Sequence, residues 1–310
     1  MNSDPLHFAA FIITYNRPDI LKESISSLLH QTYSPNQILI VDNSLNDHTQ
    51  QMVDRLNSDK LIYHKVGYNS GPAGGSKIGL LILSELGYKW IYWGDDNNPP
   101  RDSSVFKRMF ECIDALAING NKEHVGLISG KGAFFNHFNG RIRSLTNAEL
   151  KKAEITEVDV VPGGHTLIVN SEVIKKEIIP DESLFFGFED LDFSLKLRKH
   201  GYKIYVDAKT WLQIRYKHND LKNAYRPRIK SFGDKTGNLN RQYYSTRNLL
   251  KIFYSQKLWF PFIFQLIKTL IKIPSGFLYG LNFGVKNCLI QSKALRDFFV
   301  GNYQKNLKVD

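Results

Sequence analysis

Short apolar runs alternate with amphipathic stretches over the first third of the chain. Phe8 to Thr14 (FAAFIIT) is apolar, of strand length, and broken by Tyr15-Asn16-Arg17-Pro18. From Asp19 the apolar residues Ile20, Leu21, Ile25, Leu28 and Leu29 recur along one helical face, and Pro18 suits a helix start. Gln37 to Val41 reads as a second buried strand, ending at Asp42-Asn43-Ser44, and a polar helix is predicted over roughly 47–57. Leu61 to Lys65 is a third strand. Gly67 to Lys77 is a Gly-rich loop opening a helix through Leu86, and Trp90 to Trp93 is a fourth strand. Repeated βα units predict a parallel sheet with right-handed crossovers, with every polar strand end on one edge. In open α/β sheets ligands bind at that edge. No G-x-G-x-x-G follows the first strand and no G-x-x-x-x-G-K-[ST] is present, which disfavours a dinucleotide enzyme or a P-loop NTPase.

Further on, a helix is predicted over 103–118, a strand over 125–129 and a hairpin over 134–143 that turns near Asn139-Gly140. Asp159 to Pro162 and His165 to Asn170 flank Gly163-Gly164. Leu184-Phe185-Phe186-Gly187-Phe188 leads into Glu189-Asp190-Leu191-Asp192, then an amphipathic helix over 193–200 stopped by Gly201. Tyr202 to Val206 is a last strand, and a tail begins near Trp211. In that tail 241–253 reads as a helix. Leu258 to Phe283 is apolar but interrupted by Pro261, Lys268, Lys272 and Pro274. No uninterrupted run reaches the ~18–20 residues of a spanning helix. The reading is amphipathic helices lying on a surface, with packing on the catalytic domain or in a homo-oligomer interface as the alternative. The expected division is an α/β domain over 1–215 and a mainly helical region over 216–310.

Chemistry gathers at the strand ends. Lys89 to Arg101 (KWIYWGDDNNPPR) is an apolar strand that stops in Asp95-Asp96-Asn97-Asn98 and two prolines. Asp95 and Asn97 are two apart and share a face if the segment is extended. Their oxygens suit Mg²⁺ or Mn²⁺ bridging a diphosphate. Thr14, Tyr15, Asn16 and Arg17 offer a stacking ring and a phosphate-pairing guanidinium. Asp42 is placed to accept hydrogen bonds from a base or ribose. Gly71, Gly74 and Gly75 let backbone approach a ligand, and Lys77 adds positive charge. Glu189 and Asp190, after aromatic residues and before a helix, are candidates for a general base toward a hydroxyl. Gly164, His165 and Trp93 are assigned to the acceptor side. Each feature alone also fits a turn, a cap or a packed side chain.

Charge adds a second theme. Residues 1–210 carry 23 Lys+Arg against 26 Asp+Glu, net −3, and residues 211–310 carry 18 against 4, net +14. A basic tail rich in Phe, Trp, Tyr, Leu and Ile points to an anionic membrane surface or a polyanionic partner. No nucleic-acid-binding signature accompanies it, so no nucleic acid is expected. Cys112 and Cys288 form no metal or disulfide pattern, Met1 to Phe8 shows no secretory signal, and a reduced, cytoplasmic setting fits.

The ordered set TYNRP, VDNS, YNSGPAGG, GDDN and FFGFEDLD closely resembles family 2 glycosyltransferases of the GT-A fold, over roughly residues 8–215. The family's opening T-[YF]-N-R matches Thr14 to Arg17, and its N-x-G-x-[AG]-G-[GA] matches Asn69 to Gly75. Its DxD metal motif falls on Asp95-Asp96-Asn97, and its acidic base motif on Glu189-Asp190, with Asp190 as base. Arg241 to Asn248 (RQYYSTRN) is similar to a segment of bacterial rhamnosyl- and galactofuranosyltransferase-type members. The resemblance implies an inverting enzyme that uses a UDP- or dTDP-linked sugar to build a lipid-linked or surface glycan, peripheral on the inner face of a membrane. Two departures bear on the divalent cation. Asn97 stands where the triplet ends in Asp, and Gln213 stands about where members place a metal-binding His, with His218 the nearest histidine. Two other readings stay open: a nucleotidyltransferase, and a non-catalytic nucleotide- or glycan-binding module on the same fold.

Overall fold

The computed structural model describes residues 7–118, 124–161, 166–217 and 239–303. The first half runs β1 (Phe8–Thr14), α1 (Pro18–Leu29), β2 (Ile38–Asp42), α2 (His48–Leu56), β3 (Leu61–Lys65), α3 (Gly71–Glu85), β4 (Trp90–Asp95) and α4 (Val105–Ile118). Then come β5 (Val125–Ser129), the hairpin β6 (Ala133–Phe135) and β7 (Ile142–Ser144), α5 (Asn147–Leu150), β8 (Ile155–Val158), β9 (Leu167–Asn170) and α6 (Glu172–Lys175). A 3-10 turn, Glu182–Leu184, precedes α7 (Glu189–Lys199), β10 (Lys203–Asp207) and α8 (Ala208–Lys217). Three longer helices close the chain: α9 (Leu239–Ser255), α10 (Trp259–Ser275) and α11 (Leu281–Phe299).

Eight strands form one sheet in the order β3-β2-β1-β4-β9-β5-β10-β8. β3, β2, β1 and β4 are mutually parallel, as the βα alternation predicts. β9 runs antiparallel between β4 and β5, β10 is parallel to β5, and β8 closes the edge antiparallel to β10. β1 is buried on both faces. Ala9, Phe11 and Ile13 pack with Leu80 and Leu83 of α3, while Phe8, Ala10 and Ile12 pack with Leu21, Ile25 and Leu28 of α1 and with Phe106 and Phe110 of α4. This two-sided burial is why FAAFIIT shows no polar alternation. Gly79 sets the close fit of α3 on β1, because a Cβ there would lie 2.5 Å from the Phe11 ring.

Three local expectations change. The segment after Asn69 is not a loop leading to a helix; α3 begins at Gly71, so Gly74 and Gly75 are helical. Their lack of a side chain serves packing, on Ser70 and on Ile13. Val160 makes only a bridge to Ala133, and the edge strand is β8, whose Ile155–Val158 is only half apolar. Asp95 ends β4, and the chain turns at Asp96 and Asn97, so Asp95 and Asn97 do not alternate on an extended segment. The chain after β10 is helix α8, which runs through residue 215 to Lys217. The later helices also share apolar clusters with the sheet domain: Ile252 and Phe253 of α9 pack with Ala73, Leu184, Leu191 and Leu195.

Candidate functional site

The site forms where β1, β2 and β4 end. A cavity of about 310 Å³ opens there, lined by Ile13, Thr14, Tyr15, Arg17, Asn43, Asn69, Gly71, Pro72, Asp95, Asp96, Asn97, Phe185, Phe186 and Arg241. That volume lies in the range of small-molecule sites. The elements explain the convergence. Parallel strands deliver their C-terminal residues to one edge, and the turns that follow carry the polar groups. A smaller cavity of about 60 Å³ lies beyond Asn98, next to α4 and α8. Arg108 on its wall is already paired with Asp102, through bonds of 3.0 Å to each carboxylate oxygen.

Thr14, Tyr15, Arg17, Asn69, Gly71, Asp95, Asp96 and Asn97 come together on the lining of the main cavity. Thr14 donates its hydroxyl to Asp96 Oδ2 at 2.9 Å, and Arg17 stands 3.5 Å from Asp96 Oδ1 with half its side chain exposed. Asn16 adopts positive φ (55°), and its N–H donates to Ser44 Oγ, which fixes the turn after β1. Asn69 accepts the Gly71 N–H at 3.0 Å, shaping the entry to α3. Other expected residues do not line the cavity. Asp42 is fully buried, its two oxygens accepting from Ser44 N and the Tyr63 hydroxyl, and its neighbour Asn43 faces the cavity instead. Gly74 and Gly75 pack inward, and Lys77 pairs with Glu182 at 2.7 Å. Trp93 is buried against Phe11 and Phe193. Gly164, His165 and His218 lie outside the described residues. Gln213 lies on α8.

Asn43, Pro72, Phe185, Phe186 and Arg241 are additions that sequence reasoning did not assign. Phe185 and Phe186 sat inside the FFGFED motif, and Arg241 opens RQYYSTRN, so the signals were adjacent to those read.

Electrostatics distinguish the carboxylates. Burial first, then the charges of Asp96 and Asp190, push the Asp95 carboxyl up to about 6. No hydrogen bond from another described residue reaches it. Burial raises Asp96 as well, while Thr14 and Arg17 pull it back. Glu189 is held well above the usual carboxylate range by burial, then by Asp190, and its Oε2 is buried without a hydrogen-bond partner among the described residues. Both Glu189 and Asp190 lie in the first turn of α7. Two carboxylates raised by burial and by one another are chemically suited to a divalent cation, which would relieve the repulsion. Asp95 and Asp96 supply hard oxygen donors for it. Among the described residues, however, no group of three Asp, Glu, His or Cys converges as a complete ligand set. Asn97 is exposed in the turn.

The raised Asp95 has a stability consequence with a definite sign. Between its unfolded value near 4 and about 6, the folded protein holds the extra proton, so this group's contribution to stability falls as pH rises through that window. Asp95→Asn is expected to stabilise the metal-free protein by roughly 1–3 kcal/mol at pH 8, with the difference gone near pH 4. Urea unfolding at the two pH values measures it.

Comparison with known proteins agrees with this geometry. A family model described as Glycosyl transferase family 2 matches residues 9–105, the stretch from β1 through the turn after β4. The galactofuranosyltransferase GlfT1 of Mycolicibacterium smegmatis is 24% identical over 200 residues, which is 62% of this chain and 65% of that protein. GlfT1 of Mycobacterium tuberculosis is 27% identical over 110 residues, 35% of this chain and 36% of that protein. The matched stretches thus span less than two thirds of these relatives. Among solved structures, the mannosyltransferase PcManGT of Pyrobaculum calidifontis, in complex with GDP-Man and Mn²⁺, superposes with a TM-score of 0.51 at 12% identity, covering 96% of this chain and 77% of that one. GalNAc-T7 with UDP, GalNAc and Mn²⁺ gives a TM-score of 0.52 at 14% identity, covering 66% and 42%. These likenesses establish a shared GT-A fold. The stretch similar to glycosyltransferase family 2 carries the cavity residues from Ile13 to Asn97.

Proposed function

We propose that this chain is an inverting glycosyltransferase that moves a galactofuranosyl residue from a UDP-linked donor to a hydroxyl of a lipid-linked or cell-surface glycan. The observation that carries the reading is the convergence of Thr14, Arg17, Asn69, Asp95 and Asp96 on one cavity, with the Asp190 charge near enough to help raise Asp95. The choice of sugar is supported by the GlfT1 relatives. dTDP-rhamnose is the comparator donor.

The roles follow from position. Asn43, Asn69 and Tyr15 face the nucleoside, and Arg17 and Arg241 bring positive charge toward the diphosphate. A divalent cation bound at Asp95 and Asp96 would neutralise charge on the departing diphosphate. Asp190 takes the proton from the acceptor hydroxyl as its oxygen attacks the anomeric carbon. Glu189 is the weaker candidate for base, because burial and the adjacent carboxylate favour its neutral acid. His165 and Gly164 keep their assignment to the acceptor side, whereas Trp93 supports the site from beneath.

The acceptor's lipid carrier accounts for the surface of the tail. α10 carries its polarity inside out. Pro261, Gln265 and Thr269 face the protein, while Phe260, Ile263, Ile267, Leu270 and Ile271 point outward, each more than half exposed. Polar contacts hold the helices together: Asn287 of α11 donates to the Lys272 carbonyl of α10 at 2.9 Å, and Thr246 of α9 donates to Gln291 Oε1 of α11 at 2.7 Å, beside Phe262 packed on Tyr254 and Phe298. Trp259–Tyr279 is long and apolar enough to cross a membrane by length and composition, and only 17% of its apolar window is buried. Lys268 and Lys272 edge the outward stripe, suited to snorkelling toward anionic headgroups. We place the enzyme on the inner face of a membrane with this stripe in the lipid interface.

Two outcomes test the reading. Asp190→Asn should lower transfer at least a thousandfold while UDP binding by calorimetry persists; normal turnover removes Asp190 from its role. In a donor panel, UDP-galactofuranose should release UDP and dTDP-rhamnose should not. For the membrane contact, the protein should float with vesicles of anionic phospholipid, and Ile267→Asp with Ile271→Asp should leave it in solution. Wild-type protein that stays in solution contradicts the contact.

A further inference from the structure

The segment between the Glu182–Leu184 turn and α7 is strained. Phe185 (φ 59°), Gly187 (φ 81°) and Phe188 (φ 71°) all have positive φ within four residues. For a bulky residue such as Phe this conformation costs on the order of 1–3 kcal/mol and persists only when its surroundings enforce it. The segment holds Phe185 and Phe186 on the cavity wall and leads directly into Glu189 and Asp190, the first turn of α7.

What enforces it comes from more than sixty residues away. Asn248 on α9 is fully buried, and its amide nitrogen, with two N–H donors, lies within hydrogen-bond distance of three carbonyls of the loop: Leu184 at 2.9 Å, Phe186 at 3.0 Å and Gly187 at 3.0 Å. Asn248 is itself held by Arg247, also fully buried, whose Nη2 and Nε donate to Asn248 Oδ1 at 2.9 and 3.1 Å. Arg247 Nη2 also donates to the Leu184 carbonyl at 3.0 Å. Tyr244 packs its ring on Phe185 and Phe186, and Arg241 lies over the Phe186 ring at 5.6 Å. Lys251 binds Ser183 Oγ and, at 2.9 Å, Asp181. Residues 241, 244, 248 and 251 recur at three- and four-residue spacing, so one face of α9 follows the loop from end to end. On the other side Gly71 (φ 70°) admits the Phe185 carbonyl, which would lie 2.1 Å from any Cβ there.

We infer that α9 is the clamp that sets the catalytic base, with Asn248 the positioning residue and Arg247 its support. The two N–H donors of this amide serve the carbonyls of Phe186 and Gly187 and share that of Leu184 with Arg247, and an unmet buried carbonyl is costly. The loop then fixes the N-terminus of α7 and so the place of the Asp190 carboxylate relative to the donor. A misplacement of about 1 Å at a reacting group costs on the order of 100-fold in rate. The role in catalysis rests on the transfer reading above; the clamp itself does not.

Asn248→Asp tests it. The substitution keeps the size and the oxygen that Arg247 binds, so the fold is retained, and it removes the donors to the three carbonyls. The midpoint of thermal unfolding should stay within a few degrees of wild type. Amide exchange over 183–190 should accelerate at least tenfold, kcat should fall 10- to 100-fold, and UDP affinity by calorimetry should change less than threefold. Asn248→Ala should repeat the pattern with a larger loss of stability. Unchanged exchange over 183–190 overturns the clamp. Faster exchange with unchanged kcat overturns the positioning role, and so does a kcat loss matched by an equal loss of folded protein. If wild type releases no UDP from any donor, the transfer reading fails by itself, and the exchange measurement alone decides the clamp.

Discussion

Asp95 ends β4 between Asp96 on one side and the Glu189–Asp190 pair on the other, and burial and mutual repulsion raise Asp95 and Glu189. Holding these like charges together is unfavourable for the fold by itself. They are tolerated because the sheet places them where a ligand approaches, at the open edge that parallel strands share. The rest of the structure serves that juxtaposition. β1 and α3 pack tightly through Gly75 and Gly79, which fixes the strand ends. Thr14 and Arg17 tie down Asp96, leaving Asp95 for chemistry. The α9 clamp holds the loop that leads into Glu189 and Asp190 in the first turn of α7.

The helical C-terminal region thereby has two faces with different tasks. The face of α9 turned inward bonds the backbone that carries Phe185 to Phe188. The face of α10 turned outward is apolar. On the proposed reading, such a tail would link membrane position to the geometry of the active centre. The buried guanidinium of Arg247 is consistent with this arrangement, because its fork of donors meets loop carbonyls and aromatic faces where a hydrophobic residue would leave the loop unsupported.

Much of the fold was legible because buried parallel strands carry continuous apolar runs. FAAFIIT, QILIV and WIYW each became a strand in the expected order, and the helix opening at Pro18 followed from Pro, whereas α7 opens at Glu189, a turn earlier than the apolar pattern from Phe193 indicated, with the acidic residues forming its first turn. β8 was not legible, since Ile155–Val158 alternates only weakly and gains its place by pairing with β10. The Gly-rich segment misled because glycine that serves close helix packing looks the same in sequence as glycine that serves a loop. The site was legible where motif and strand end coincide, as at Thr14, Arg17, Asp95 and Asp96. Asp42 and Asn43 show the limit: both are buried, but Asp42 is taken up by Tyr63 and Ser44 while Asn43 reaches the cavity wall, which no local pattern distinguishes. Asn248 was visible as part of a motif, but its role depends on contacts across more than sixty residues that no local pattern encodes.

The central claim is that the carboxylates around Asp95 await a diphosphate and its counter-charge. Titrating UDP into the wild-type protein by calorimetry at pH 7.5, once with Mn²⁺ and once with EDTA, tests it most directly. The account predicts micromolar binding with Mn²⁺ and at least tenfold weaker binding in EDTA. Equal affinity in both, or no binding in either, would contradict it.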